Sequence, residues 1–295
     1  MTTSPFGRVL TAMVTPMSRG GEIDEKGTDS LVDHLLTTGH DGLVVNGTTG
    51  ESSTLSNDES IEMVRRVKQR AGDRAKVVAG VGSNDTRHSV EMAGLAAAAG
   101  ADALLLVSPY YNRPTQAGLV AHCRAVADTT HLPVMLYDIP ARTGIPFDTD
   151  TLVTLGEHPN IVAVKDAKGD LWASTHVKAA TDLLWFSGAD EVNLPLLALG
   201  ATGVVSVVGH VAGEQYASMV AAVDRGDLAR ARAIHTSLIR VVDAIMTTSQ
   251  GAIMAKAALV ELGVIESATV RLPLVESPPE HLELLRAALA TLPTR

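Results

Sequence analysis

The sequence contains few of the residues that mark several classes of protein. Its single cysteine, Cys123, cannot form a disulfide within the chain. Its ten histidines are scattered without HxH or HExxH spacing, and there is no cysteine pair, so we predict no bound metal. Lysine and arginine form no cluster and the formal net charge is −9, which argues against binding to nucleic acid.

Long hydrophobic segments are also missing. Apolar runs such as 103–107 are far shorter than a membrane span, and charged residues or glycines interrupt the longer stretches. The N-terminus lacks the basic and apolar blocks of a signal peptide. These absences predict a cytoplasmic protein that does not bind a membrane.

Small aliphatic residues are abundant. Apolar residues make up 46% of the 295 residues, a composition suited to close packing of helices on a sheet. Short apolar runs alternate with segments of helical composition from residue 8 to residue 223. The runs predict strands at 8–14, 42–45, 76–80, 103–107, 133–137, 161–164, 183–187 and 203–207. Eight such alternations predict an α/β fold, a (β/α)8 TIM barrel.

Beyond the eighth unit the sequence predicts helices alone. The helical segments are 226–248, 251–262 and 279–291. We therefore predict a (β/α)8 catalytic barrel over 1–225 and a C-terminal helical extension over 226–295.

Lys165 ends an apolar run, at the carboxyl end of the sixth predicted strand, where barrel enzymes place their active sites. Burying an ammonium there is costly, so the position favours the neutral amine, which is a nucleophile. Lys165 is therefore a candidate for Schiff-base formation. A lysine that extends from a strand end to solvent fits the same pattern.

Other polar residues follow neighbouring predicted strands at the same rim. The segment 47–51, Gly-Thr-Thr-Gly-Glu, is suited to hold a small carboxylate on its N–H groups, although many such segments are ordinary turns. Tyr137 and Arg142 belong to the fifth unit, where a core tyrosine and a solvated arginine are the alternative interpretations. Together, an amine, N–H donors, a phenol and a guanidinium describe a 2-oxo acid aldolase. Such an enzyme needs no metal or cofactor, because the iminium is the electron sink.

Five motifs carry a resemblance to a known family. They are GTTGES at 47–52, SPYYNRP at 108–114, YDIPARTG at 137–144, VKDAKG at 164–169 and SG at 187–188. With them, the sequence resembles the dihydrodipicolinate synthase family, within the N-acetylneuraminate lyase superfamily of class I pyruvate aldolases. The resemblance implies condensation of pyruvate with aspartate 4-semialdehyde to 4-hydroxy-tetrahydrodipicolinate, a precursor of diaminopimelate and lysine.

The resemblance also implies roles for individual residues. Lys165 would form an imine with pyruvate, and the backbone N–H groups of Thr48 and Thr49 would hold the pyruvate carboxylate. Tyr137, Thr48 and Tyr111 would form a proton relay. In the family pattern Tyr111 comes from the neighbouring subunit, so the active form would be a homo-oligomer, usually a dimer of dimers.

The family pattern also assigns substrate-binding and site-lining positions, and the sequence departs from it in one segment. Arg142 matches the residue that receives the carboxylate of aspartate 4-semialdehyde, and Gly188 and Val205 match positions that line the site. The segment 250–256 lacks the proline-containing form common in the family, which bears on helix packing and on tetramer details.

Two other functions remain open from the sequence. The first is a related class I pyruvate lyase that acts on a sugar acid, against which Arg142 and the GTTGE segment argue. The second is a non-catalytic 2-oxo acid binding paralogue. The residues that argue against it are the intact Lys165, Tyr137, Thr48 and Tyr111. Fold alone does not separate them.

The resemblance also predicts that free lysine inhibits this protein weakly or not at all. In lysine-sensitive members a glutamate pairs with the lysine ammonium, and the matching position here is His88. An imidazole does not replace that carboxylate. Glu91, one helical turn further on, is the alternative source of negative charge.

Overall fold

The computed structural model describes residues 4–293 of the chain. Eight parallel strands, β1 to β8, form a closed barrel in sequence order. They are β1 Val9–Ala12, β2 Gly42–Val45, β3 Lys76–Gly80, β4 Ala103–Val107, β5 Val134–Asp138, β6 Ile161–Asp166, β7 Leu184–Ser187 and β8 Gly203–Ser206. The predicted (β/α)8 barrel is confirmed, and no strand boundary lies more than two residues from its predicted position.

Helices surround the barrel between the strands. They are α1 Glu25–Thr37, α2 Asn57–Ala71, α3 Thr86–Ala98, α4 Gln116–Ala127, α5 Pro140–Thr143, α6 Thr149–Gly156, α7 Leu171–Ala180, α8 Asn193–Ala198 and α9 Gly209–Asp224. Short 3-10 turns cover Ser52–Thr54 and Asp190–Val192. No helix of the described residues is long and apolar enough to cross a membrane.

The alternation of side chains along each strand builds two hydrophobic layers. On β2, Val44 points into the barrel, while Leu43 and Val45 pack outward against the helices. The inner layer includes Phe6, just before β1, whose ring meets that of Phe186 edge to face at 5.8 Å between centroids. The barrel is therefore filled by side chains at its amino-terminal end, which leaves the carboxyl end for a site.

The C-terminal region is helical but not as the sequence predicted. The predicted single helix over 226–248 is wrong, because the structure has α10 Leu228–Ser237, α11 Ile239–Val242 and a π-helical turn over 243–247. Ser237 and Thr247 donate hydroxyl hydrogen bonds to carbonyls in their own preceding turns, an arrangement that bends helices.

Two further helices follow, α12 Gly251–Glu261 and α13 Pro279–Leu289. Residues 251–259 of α12 are all buried, so this helix lies inside the molecule instead of covering its surface. The division into a barrel over 1–225 and an extension over 226–295 stays a prediction.

Candidate active site

Lys165 lies at the carboxyl end of β6, which continues one residue past it. Its side chain is only 4% exposed. In the strand register it stands opposite Tyr137 of β5 and Phe186 of β7. Its Nζ lies 4.1 Å from the centroid of the Tyr137 ring, and within residues 4–293 it makes no ion pair or hydrogen bond. The lysine is therefore enclosed by the barrel and does not extend to solvent.

Burial controls the ionisation of this lysine. Desolvation lowers the pKa of Lys165 to about 7; the carboxylate of Asp190 opposes this shift, and the guanidinium of Arg142 adds to it. At that pKa roughly half of the amine is neutral near pH 7, against on the order of 0.1% for an ordinary lysine. The site thus supplies a nucleophilic amine at neutral pH.

The GTTGE segment after β2 forms a tight turn. Gly50 N donates to the carbonyl of Gly47 at 3.0 Å, and Glu51 N donates to the carbonyl of Thr48 at 3.1 Å. The hydroxyl of Thr15 donates to the carbonyl of Gly50 at 2.7 Å. Within residues 4–293, the backbone N–H groups of Thr48 and Thr49 donate no hydrogen bond to the chain. Two adjacent donors are therefore available to an anion.

One cavity of about 320 Å³ brings several predicted residues together. Thr48, Tyr137 and Arg142 line it, whereas Thr49, Lys165, Gly188 and Val205 do not. Lys165 packs its Nζ against the ring of Tyr137, which lines the cavity. Burial raises the pKa of Tyr137 to about 12, against the opposing effect of Arg142. The phenol therefore keeps its proton at neutral pH and is able to donate it.

Gly188 and Val205 shape the space around the lysine. A Cβ atom on Gly188 would lie 2.8 Å from Cγ and 3.0 Å from Cε of Lys165, closer than carbon atoms pack. Val205 of β8 is 1% exposed and belongs to the inner hydrophobic layer with Tyr137. Because residue 188 has no side chain, the side chain of Lys165 has room to extend along the barrel wall.

The comparisons with known proteins agree with this geometry. Residues 5–292 match the dihydrodipicolinate synthetase family. The chain belongs to that family. It is 56% identical to the 4-hydroxy-tetrahydrodipicolinate synthase of Kineococcus radiotolerans, over 97% of this chain and 93% of that protein. It is 54% identical to the enzyme of the same name from Acidothermus cellulolyticus, over 98% and 95% of the two chains.

Solved structures give the same result. The dihydrodipicolinate synthase of Bacillus anthracis superposes with a TM-score of 0.95 at 40% identity, covering 98% of this chain and 99% of that one. The enzyme of Cyanidioschyzon merolae, determined with lysine bound, gives a TM-score of 0.95 at 42% identity with the same coverage. The predicted family and enzyme class, a lyase of the 4-hydroxy-tetrahydrodipicolinate synthase type, are confirmed.

The side chain of Tyr111 does not line the cavity of its own chain. It is 89% exposed and has a backbone φ of +72°, in the left-handed region that few residues other than glycine adopt. Its neighbour Tyr110 lines the cavity instead. Four predicted catalytic residues are therefore not all brought together within a single chain.

Asp190 is a charged group near the site that the sequence analysis missed. It is 2% exposed and accepts hydrogen bonds from the hydroxyl of Ser206, from Asn193 Nδ2 at 3.1 Å and from the backbone of Val207 at 3.0 Å. Its carboxylate is thus fixed at the carboxyl end of β8. From there it partly opposes the lowering of the Lys165 pKa by burial. Its position, two residues after the SG motif at the end of β7, is the sequence signal that could have identified it.

The next residue along β5 and along β6 faces the opposite side of the barrel wall. Asp138 stands opposite Asp166 in the register, one residue beyond the Tyr137–Lys165 pair. Asp166 accepts from the indole of Trp185 at 3.1 Å. Burial raises the pKa of Asp138 to about 6. Tyr137 and Lys165, which face the inside of the barrel, are therefore each followed by an aspartate whose carboxyl group lies on the outer side, towards the helices.

Residues 4–293 contain no group of three or more His, Cys, Asp or Glu side chains arranged to hold a metal ion.

Proposed function

We propose that this protein condenses pyruvate with aspartate 4-semialdehyde to give 4-hydroxy-tetrahydrodipicolinate, through a Schiff base on Lys165. The relatives described above bear the name of this activity. The observation that carries the proposal is the enclosed amine of Lys165, against Tyr137 at the carboxyl end of a barrel strand, with a pKa of about 7. A buried amine that is about half neutral at pH 7 is the group that imine chemistry requires at that position.

Pyruvate binds with its carboxylate on the N–H groups of Thr48 and Thr49. Both groups are free of partners within the described residues, and the turn that carries them is closed by its own hydrogen bonds. The neutral amine of Lys165 attacks the keto carbon, and the keto oxygen leaves as water to form a protonated imine. Loss of a proton from the pyruvate methyl group then gives an enamine, because the imine accepts the electron pair.

Tyr137, Thr48 and Tyr111 move protons during these steps. Tyr137 and Thr48 line the same cavity, and the high pKa of the phenol keeps it protonated until a basic oxygen or nitrogen forms beside it. Tyr111 is exposed in its own chain. We therefore assign it to the cavity of a neighbouring subunit, in a dimer that pairs again into a tetramer.

Arg142 receives the carboxylate of aspartate 4-semialdehyde. It lines the cavity, lies in the short helix α5 and forms no ion pair within residues 4–293. An uncommitted guanidinium is suited to bidentate binding of a carboxylate. The enamine carbon attacks the bound aldehyde, and the amino group of the same substrate displaces Lys165 as the ring closes. The free lysine is then ready for another pyruvate.

Borohydride trapping tests this proposal directly. Incubation with pyruvate and borohydride is expected to add one reduced pyruvate to the protein, and peptide mapping to place it on Lys165. A Lys165→Ala variant is the control and should remain unlabelled. An adduct on Lys168 or Lys256, or none at all, would contradict the assignment.

The second substrate is tested by turnover. Aspartate 4-semialdehyde is expected to be consumed with pyruvate, while N-acetylneuraminate is not cleaved. Preferred cleavage of the sugar acid would reassign the protein to the sugar-acid lyases.

A further inference from the structure

A buried ion pair connects the GTTGE turn to the C-terminal helices. Glu51, the last residue of the turn, is 3% exposed, and Lys256, in the middle of α12, is 0% exposed. The Nζ of Lys256 donates to Glu51 Oε1 and, at 2.7 Å, to the carbonyl of Thr269. Glu51 Oε2 accepts from the backbone N–H of Arg271 at 2.9 Å. Groups more than 200 residues away along the chain thus hold both oxygens of this carboxylate.

The buried ion pair between Glu51 and Lys256 is not explained by a contribution to the stability of the fold. Removing two charges from water costs several kcal/mol per ion, and well-packed apolar side chains of similar volume often replace such a pair without loss of stability. Burial does lower the pKa of Lys256, and the carboxylate of Glu51 opposes that shift. A buried ion pair of this kind is therefore better suited to fixing the geometry of the turn than to increasing the free energy of unfolding.

The backbone at Glu51 is itself in an unfavourable conformation. Its φ is +57°, in the left-handed region, which costs a residue with a Cβ atom roughly 1 kcal/mol or more. Its N–H closes the turn on the carbonyl of Thr48. The carbonyl of Thr48 and the N–H of Thr49 belong to the same peptide group, so this hydrogen bond from Glu51 fixes the direction of the unpartnered Thr49 N–H. The hydrogen bond from Gly50 to Gly47 does the same for the N–H of Thr48.

We propose that Glu51 and Lys256 are positioning residues for the 2-oxo acid substrate: the ion pair holds the GTTGE turn so that the N–H groups of Thr48 and Thr49 face the substrate carboxylate. The C-terminal helical region thereby becomes part of the pyruvate site without touching pyruvate. This inference rests on the proposed function, since it assigns those N–H groups to the pyruvate carboxylate.

A second ion pair in the same region provides a matched control. The guanidinium of Arg271 binds Glu59 of α2, with Nη1 at 2.9 Å, and also donates to the carbonyl of Thr54 at 2.7 Å. This pair also joins the C-terminal segment to the region after β2, but it is partly exposed, and Arg271 contacts the Glu51 side chain only through its backbone N–H, which Glu59→Gln leaves in place. In Glu59→Gln the side-chain oxygen still fits the cap of α2, while the ion pair is lost.

The experiment compares Lys256→Met and Glu51→Gln with Glu59→Gln in the full-length protein. For the first two variants the KM for pyruvate is expected to rise roughly tenfold or more, because displaced binding groups lose much of their effect, while the KM for aspartate 4-semialdehyde changes little. The pyruvate concentration that half-saturates borohydride labelling should rise in parallel. Glu59→Gln should keep both values within about twofold of the wild type.

The outcomes separate positioning from plain stabilisation. If Lys256→Met and Glu51→Gln lower the melting temperature but leave the KM for pyruvate unchanged, or change it no more than Glu59→Gln does, the inference is overturned. If Lys256→Met does not fold, Glu51→Asp decides the matter, since it keeps the charge and shortens the reach by one methylene. An unchanged KM in that variant also overturns it.

The proposed function is judged separately in the wild type. Failure of the wild-type protein to form a pyruvate adduct on Lys165 refutes the proposed function itself. A normal wild-type adduct, with unaltered half-saturation in the ion-pair variants, refutes only the positioning role.

Discussion

The Nζ of Lys165 lies over the face of the Tyr137 ring, 4.1 Å from its centroid, and not beside its hydroxyl. The two residues are paired across β5 and β6, so the strand register fixes this arrangement. The ring therefore shields the amine from water, while its hydroxyl is left to the cavity. One tyrosine thus has two roles in the site, covering the amine with its ring and presenting its hydroxyl to the cavity.

Replacing Lys165 by Met is expected to stabilise the folded protein while abolishing activity. The pKa of Lys165 falls from 10.5 to about 7 on folding. Below pH 10.5 the unfolded chain binds a proton that the folded chain does not, so wild-type stability falls by about 1.4 kcal/mol per pH unit down to pH 7. The stability gained by Lys165→Met should therefore be largest at and below pH 7, at roughly 5 kcal/mol at most, and should shrink towards pH 10.5.

Thermal unfolding between pH 6 and pH 10 checks this. Lys76→Met is the control, because Lys76 is exposed at the opposite end of the barrel, where β3 begins. A difference between wild type and Lys165→Met that stays constant across the pH range would contradict the expectation.

Tyr137→Phe should keep the fold and lose on the order of 10² to 10⁴ in kcat, the usual effect of a positioned acid or base. Steady-state kinetics with circular dichroism as a folding check measures this. A kcat within threefold of the wild type would remove Tyr137 from the relay.

Tyr111→Phe is expected to have reduced catalytic activity, and a subunit that carries an intact Tyr111 should restore it. Mixing inactive Lys165→Ala with Tyr111→Phe subunits should regenerate some sites in which both groups are intact, because Tyr111 faces out of its own chain. Verified mixed dimers that recover no activity would count against a shared site.

Arg142→Ala should leave pyruvate labelling of Lys165 largely intact and lower kcat/KM for aspartate 4-semialdehyde roughly thirtyfold or more. Arg142→Lys should fall between the two, since it keeps the charge but loses the bidentate geometry. Equal values for the alanine variant and the wild type would show that another group binds the aldehyde substrate.

Gly188→Ala places a methyl group 2.8 Å from Cγ of Lys165 and should lower the rate of pyruvate labelling by about two orders of magnitude. Gly94→Ala is the matched control: its added Cβ would lie 3.7 Å from the nearest side chain of another element, in ordinary contact. Comparable labelling rates in both variants would mean that the lysine does not need the space at 188.

Free lysine is expected to inhibit weakly. His88 lines the cavity where lysine-sensitive members resembling this protein carry a glutamate. Loss of that ion pair typically costs about 2 kcal/mol, roughly thirtyfold in affinity. His88→Glu should therefore increase sensitivity in a steady-state titration, and half-inhibition of the wild type by submillimolar lysine would defeat the prediction.

The sequence predicted those parts of the protein that depend on local patterns. Apolar runs located all eight strands, and the residues that follow them located Lys165, Tyr137 and Arg142 at the carboxyl end of the barrel. Parallel strands in a barrel bring their carboxyl ends to one rim, so position along the chain was enough to place these residues together.

Other features depend on contacts that no local pattern reveals. The pair formed by Glu51 and Lys256 joins residues 205 positions apart, and a lysine within a helical segment gives no sign that it is buried. The break between α10 and α11 was missed because hydroxyl groups of serine and threonine compete with helical hydrogen bonds only in particular rotamers.

The in-register pairing of β5 with β6 also has a consequence for laboratory evolution. Asp138 and Asp166 are separated from the reacting pair by a single peptide unit, yet they face the helices and not the reaction chamber. Libraries that vary these two positions would alter the alignment of the Lys165–Tyr137 pair through the barrel wall, without adding any group that a substrate meets. Adjusting the alignment of the reacting pair and changing the substrate are therefore two separate engineering problems.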